Sequence, residues 1–156
     1  MKSEIFLIRL GMNSCYLIRG KYIIMIDGGM PGKLKVFKRA LKRLDINPSD
    51  IKLIVLTHSH FDHSGSAREI SEFTGAKIVC HEIEKTYLEK GGMIIPKGVN
   101  LYGKLTQPWL FAIFKGLPFP RFTPDILITD KPWSLKPYGI EGNIIHTPGH
   151  TPGSIS

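Results

Sequence analysis

Ile51-Lys52-Leu53-Ile54-Val55-Leu56-Thr57-His58-Ser59-His60-Phe61-Asp62-His63-Ser64-Gly65 begins as one kind of structure and ends as another. Its first six residues are almost continuously apolar, the pattern of a strand buried on both faces. A dense group of potential metal ligands starts where that strand ends. His58 and His60 are two apart on extended backbone, so both rings can face one side. Asp62 and His63 follow as the chain turns into a helix, expected over about residues 63–74, with Ala67, Ile70 and Phe73 on one side and Gly75 as its stop. With six His and six Asp in 156 residues, composition alone yields His-x-His-x-Asp-His with a probability of roughly 3 in 10,000. Imidazole nitrogen and carboxylate oxygen suit zinc, and also iron or manganese. The C-terminal end of a buried strand is where α/β folds place their sites.

Upstream, residues 4–9, 14–19 and 22–26 are short apolar runs, punctuated by Gly11-Met12-Asn13 and Gly20-Lys21, and they read as strands. The third ends in a sharp turn at Asp27-Gly28-Gly29. Pro31 then opens a basic amphipathic helix over about residues 31–44. Leu34, Phe37, Leu41 and Leu44 recur there at helical spacing among Lys33, Lys35, Lys38, Arg39, Lys42 and Arg43. Downstream, residues 77–80 read as a strand, 81–90 as a helix closed by Gly91-Gly92, and 125–129 and 143–146 as further strands. Alternation of strand and helix over residues 22–90 predicts an α/β layered domain.

Residues 91–125 differ. Pro96, Pro108, Pro118, Pro120 and Pro124 alternate there with Trp109, Phe111, Phe114, Phe119 and Phe122. We read this segment as an insertion in a single domain of residues 1–156, with a short helix near Gln107–Lys115, lining or covering a substrate pocket. The last residues, Gly153-Ser154-Ile155-Ser156, look like the opening of one more strand.

The composition is that of an ordinary globular chain, 42% hydrophobic and 22% charged. No apolar run reaches the roughly 18 residues a membrane span needs, and the N-terminus does not read as a signal peptide, so a cytoplasmic location is expected. Cys15 and Cys80 each sit in an apolar run and are expected to be buried free thiols. The net charge of +8 could attract nucleic acid, but the basic residues are spread along the chain, and the densest group reads as a solvated helix face. A small-molecule substrate is the expected partner.

A second cluster is His146-Thr147-Pro148-Gly149-His150-Thr151-Pro152-Gly153. Pro148 and Gly149 force a turn with His150 at its apex, where a stiff backbone can aim the ring at a metal. His146, at the end of a strand, is read as structural, and His81 as a capping or surface histidine.

Together these motifs carry a resemblance. Residues Thr57 to Gly65 look like the signature of the metallo-β-lactamase superfamily, as do residues Thr147 to Ser154, and Asp27-Gly28-Gly29 resembles its first motif. The resemblance implies the N-terminal portion of an αβ/βα four-layer sandwich with metals at one edge. It implies that His58, His60 and His150 form one metal site and that Asp62 and His63 serve a second. Asp62 would be the catalytic carboxylate that orients the attacking water, and Asp27 would support the ligand loop from behind. The family's pattern also includes an Asp bridging the two metals and a further His toward the C-terminus. Neither follows His150 here, and Asp125 and Asp130 precede it, so the chain is expected to lack the family's C-terminal part and to have an incomplete second site. An unpaired sheet edge would then favour a homo-oligomer.

The implied activity is metal-dependent hydrolysis of a small thioester, lactone or other ester-like substrate, as in glyoxalase-II-type thioesterases and lactonases, with zinc as the first expected ion. Three other readings stay open: a nuclease of the same superfamily, a persulfide dioxygenase with a single iron, and a catalytically incomplete metal-binding remnant.

Overall fold

Three short strands open the described residues, which are 4–91 and 121–156 of a computed structural model of the chain. β1 (Glu4–Arg9), β2 (Ser14–Arg19) and β3 (Ile23–Ile26) form an antiparallel meander, with Ile8 opposite Cys15 and Leu17 opposite Met25. β4 (Ile51–Val55), β5 (Lys77–His81) and β6 (Ile126–Ile128) then add in parallel, giving a six-stranded sheet in the order β1-β2-β3-β4-β5-β6. The helices are α1 (Leu34–Arg43), α2 (Phe61–Ser64), α3 (Ala67–Thr74) and α4 (Lys85–Lys90). β7 (Trp133–Ser134) and β8 (Asn143–Ile144) pair as a separate antiparallel ribbon.

Strand alternation divides the core between the two faces of the sheet. Met25, Ile54, Ile78 and Cys80 face the helices and pack with Phe37 and Leu41 of α1, Ala67 and Ile70 of α3 and Leu88 of α4. Ile24, Leu53, Val55 and Val79 face the other way and pack with Leu135, Ile140, Ile144 and Ile155. β4 is therefore buried on both faces, as its apolar run predicts, and the architecture is the α/β class read from the alternation of elements. On α1, Phe37 and Leu41 are buried while Lys35, Lys38, Arg39, Lys42 and Arg43 are exposed, so the dense basic group is a solvated helix face. Cys15 and Cys80 are buried free thiols, and burial pushes both up to about 12. Among the described residues no helix is long and apolar enough to cross a membrane.

Several boundaries differ from the sequence reading. The helix expected over 63–74 is two helices, α2 and α3, parted at Gly65-Ser66. The Ser66 hydroxyl donates to Met30 O at 2.7 Å and accepts from Lys33 N at 2.8 Å, which ties the break to the start of α1. The basic helix begins at Leu34 rather than Pro31, because Gly32 takes a positive φ of 70° and turns the chain first. The segment expected as a helix from His81 is the end of β5, a single 3₁₀ turn over Glu82–Glu84, and then α4. β7 was not anticipated. The closing residues pair as expected: Ile145 and Ser156 exchange backbone hydrogen bonds of 2.8 and 2.9 Å, and Ile155 N donates to Thr57 O at 3.0 Å. Most of the aromatic insertion expected at 91–125, including the helix near Gln107–Lys115, lies outside the described residues.

Candidate metal centre

β3 and β4 are parallel neighbours, so the turns that follow them emerge at the same edge of the sheet. Asp27 leaves β3 with a φ of 61°, a left-handed conformation that Asp tolerates better than most side chains. Its carboxylate is thereby laid over the loop after β4. Oδ1 accepts from Thr57 N at 2.9 Å and from Thr57 Oγ1 at 3.0 Å, and Oδ2 meets His63 Nδ1 at 2.8 Å. The next residue must be glycine: a Cβ on Gly28 would stand 2.6 Å from Ala67 N, the first residue of α3.

These bonds determine which ring nitrogens are free to bind a cation. A carboxylate only accepts hydrogen bonds. The single hydroxyl hydrogen of Thr57 therefore goes to Asp27. Thr57 Oγ1 is also 3.0 Å from His58 Nδ1, and so accepts the hydrogen that this nitrogen carries. His58 Nε2 is left with a bare lone pair. It is buried and has no hydrogen-bond partner among the described residues. By the same logic His63 Nδ1 donates to Asp27, and in the neutral ring its Nε2 is bare.

His58 and His60 are 6% and 9% exposed, whereas His150 stands at the surface on its Pro-Gly turn. The three rings form a near-equilateral triangle, with centroids 4.6, 4.7 and 4.8 Å apart. One ligand atom from each lies within 4.8 Å of the others. His60 Nδ1 and His150 Nε2 are 3.1 Å apart, sharing one hydrogen that a cation can replace. Burial, then the charges of His63, His60 and His150, push His58 down to about 3, so its imidazole is neutral at ordinary pH. An orphaned buried acceptor aimed at two more imidazoles fits a divalent cation by the chemistry of its donors.

Asp62 and His63 stand beside this triangle. Asp62 Oδ2 is 3.8 Å from His63 Nε2, and the His63 ring is 4.1 Å from that of His58. Asn13 Nδ2 holds the same Asp62 oxygen at 2.5 Å. Burial pulls the His63 pKa down, but the Asp27 hydrogen bond and the charges of Asp27 and Asp62 outweigh it, and the net direction is upward. Among the described residues, no third His, Cys, Asp or Glu completes a group with these two.

His81 and His146 are elsewhere. Their rings stack at 4.1 Å and share Asp130 Oδ1, at 3.1 Å from His81 Nε2 and 2.8 Å from His146 Nδ1. His81 Nδ1 caps the 3₁₀ turn by accepting from Ile83 N at 3.4 Å, and His146 Nε2 donates to Pro152 O at 2.8 Å. A cation on His81 Nε2 would move its hydrogen to Nδ1, against the Ile83 N–H, so this cluster is a hydrogen-bonded brace. Sequence reasoning missed Asn13, taken as a turn residue, and the supporting hydroxyl of Thr57. It also missed Glu84, a fully buried carboxylate in a segment expected to be a helix.

The sequence profile of the metallo-beta-lactamase superfamily matches residues 8–156. The chain is 34% identical over 144 residues to a probable metallo-hydrolase of Methanocaldococcus jannaschii, covering 92% of this chain and 61% of that protein. It is 30% identical over 159 residues to the hydroxyacylglutathione hydrolase GloC of Haemophilus influenzae, covering 99% of this chain and 65% of that protein. The solved structure of BJP-1, a subclass B3 metallo-beta-lactamase of Bradyrhizobium japonicum, superposes with a TM-score of 0.69 at 28% identity, covering 98% of this chain and 52% of that one. The chain thus spans between 52% and 65% of the length of these relatives. By this match and this fold, the chain belongs to the metallo-beta-lactamase superfamily, a family of metallo-hydrolases.

Proposed function

We propose that the chain supplies the metal site of a hydrolase that cleaves a small thioester, lactone or other ester-like substrate, with zinc as the ion. The observation that carries this reading is the bare, buried Nε2 of His58 facing His60 and His150. On this reading those three imidazoles hold the ion, and Asp62 and His63 face a second position. A bound divalent ion lowers the pKa of a water from about 15.7 to about 7 and polarises the carbonyl under attack.

The chain's own residues prepare that chemistry. Thr57 keeps His58 in the tautomer whose Nε2 is bare. Asp27 does the same for His63. Asn13 fixes the Asp62 carboxylate, which orients the attacking water and accepts its proton. An ester-like substrate is supported by the likeness to a hydroxyacylglutathione hydrolase, by its name a thioester hydrolase.

The test pairs elemental analysis of protein prepared without chelators with a panel of a thioester, a lactone, a β-lactam and an RNA oligonucleotide. Near-stoichiometric metal and chelator-sensitive cleavage of the thioester or lactone are expected. Metal below about a tenth of an equivalent would sink the reading, and cleavage of the RNA alone would replace it with a nuclease. A second reading has its own support. A group of three imidazoles able to hold one ion, with no third ligand joining Asp62 and His63 among the described residues, also allows a single iron and hence a persulfide dioxygenase. Iron content, with oxygen uptake on a persulfide and no thioester cleavage, would establish that alternative.

A further inference from the structure

Glu84 is fully buried at the end of the 3₁₀ turn after β5, and it belongs to neither ligand set. Its two oxygens reach different loops. Oε2 accepts from Ser59 N at 2.9 Å, the amide between His58 and His60. Oε1 accepts from Thr151 Oγ1 at 2.7 Å and from Gly153 N at 3.1 Å, just past His150. The approach is close enough to require glycine, since a Cβ on Gly153 would stand 2.7 Å from Glu84 Oε1.

We infer that Glu84 is a positioning residue that locks the His58–His60 loop to the His150 turn and so sets the spacing of the three imidazoles before an ion binds. The inference rests on the metal site proposed above. Two backbone N–H groups and one hydroxyl converge on the carboxylate. A buried carboxylate is tolerated when donors satisfy it, and it offers acceptors on both sides at once. Glutamine has the same length but one acceptor. Whichever way its amide turns, the NH₂ meets an N–H, of Ser59 or of Gly153. It can therefore hold one loop while repelling the other.

The experiment measures zinc affinity by chelator competition and the visible spectrum of the cobalt(II)-loaded protein, beside the thermal melt and amide exchange of the metal-free chain. The variants are Glu84→Gln, Thr151→Val, Thr151→Ser and a core control, Ile70→Val. We expect Glu84→Gln to weaken zinc about 10–100-fold, as loss of a ligand's supporting partner does, and to change the cobalt spectrum. Thr151→Val should weaken zinc less, because the Gly153 N–H remains, and should add little on top of Glu84→Gln. Thr151→Ser should restore affinity. A Glu84→Gln affinity within about twofold of the parent, or a loss no larger than that of a core variant matched for melting temperature, would overturn the inference. If Glu84→Gln does not fold, equal zinc affinity of the Val and Ser variants at Thr151 overturns it instead. If the parent binds no zinc, the metal reading fails by itself. The locking is then judged without metal: Thr151→Val should speed exchange of the Ser59 amide on the opposite loop, and unchanged exchange refutes it.

Discussion

Replacing Asp27 by Asn keeps the shape of the side chain and its tolerance of the left-handed φ of 61° but removes one acceptor. The three bonds from Thr57 N, Thr57 Oγ1 and His63 Nδ1 cannot then all survive. With the amide oxygen toward Thr57, the NH₂ meets His63 Nδ1, which must give up its hydrogen. His63 changes tautomer and its Nε2 becomes a donor. With the amide reversed, the NH₂ meets the Thr57 N–H. The first arrangement costs less: a charge-assisted bond of about 1.5–3 kcal/mol becomes a neutral one of about 0.5–1.5. His63 is half-buried, so the lower end applies, about 1 kcal/mol. With a urea slope of about 2 kcal/mol/M, the unfolding midpoint of the metal-free protein should fall by about 0.5 M. Imidazole ¹⁵N resonances should show the hydrogen of His63 moving from Nδ1 to Nε2. Asp27→Ala should cost more, about 3 kcal/mol, since it orphans donors and places alanine in a left-handed conformation. An unchanged midpoint and an unchanged His63 tautomer in Asp27→Asn would refute the assignment of Asp27 as the group that orients this ring.

Four further outcomes follow from the same geometry. His58→Ala removes a buried, bare imidazole nitrogen, and metal measured by elemental analysis should fall to a small fraction of the parent's, because two donors leave a poorly closed site. In the metal-free protein, His58 is pushed down to about 3 by burial and by its neighbours' charges, so the unfolded chain binds the extra proton first. Stability should therefore decline as pH drops below about 6.5, and the decline in urea midpoint should be shallower in His58→Leu. His63 moves the other way: its raised pKa makes the Asp27–His63 contribution full below its unfolded value and lost as pH rises through the folded one, so the deficit of Asp27→Asn should shrink at alkaline pH. Gly28→Ala sets a Cβ 2.6 Å from Ala67 N and 2.7 Å from its Cα, backbone atoms that cannot step aside. A loss of about 1–3 kcal/mol, as for other overpacked sites, should appear in urea unfolding.

What could be read from the sequence was local. The apolar run ending in Leu56 is continuous because β4 is buried on both faces, and the spacing of His58 and His60 is a strand-end spacing, so both survive without knowledge of any contact. Features that depend on meeting a distant segment could not be read. The break at Gly65-Ser66 is tied to Met30 and Lys33, which the Ser66 hydroxyl meets from 36 and 33 residues away in the chain. Glu84 sits in a stretch rich in charge, which by itself describes a solvated turn. Its burial comes from donors 25, 67 and 69 residues away. Asn13 is a turn residue by every local criterion, and its hold on Asp62 spans 49 residues.

His60 and His150 meet across 90 residues of intervening chain. An ion that takes both, with His58, binds the folded chain but finds no such set in the unfolded one. It therefore acts as a removable cross-link, and mass action sets its strength: about 2.7 kcal/mol at a free concentration one hundred times Kd, and about 4.1 at one thousand times. Set against a typical total of about 5–15 kcal/mol, loss of such an ion to a chelator would remove a sizeable share of the stability without unfolding the chain, and would raise its exposure to proteases with every fall in the local supply of metal.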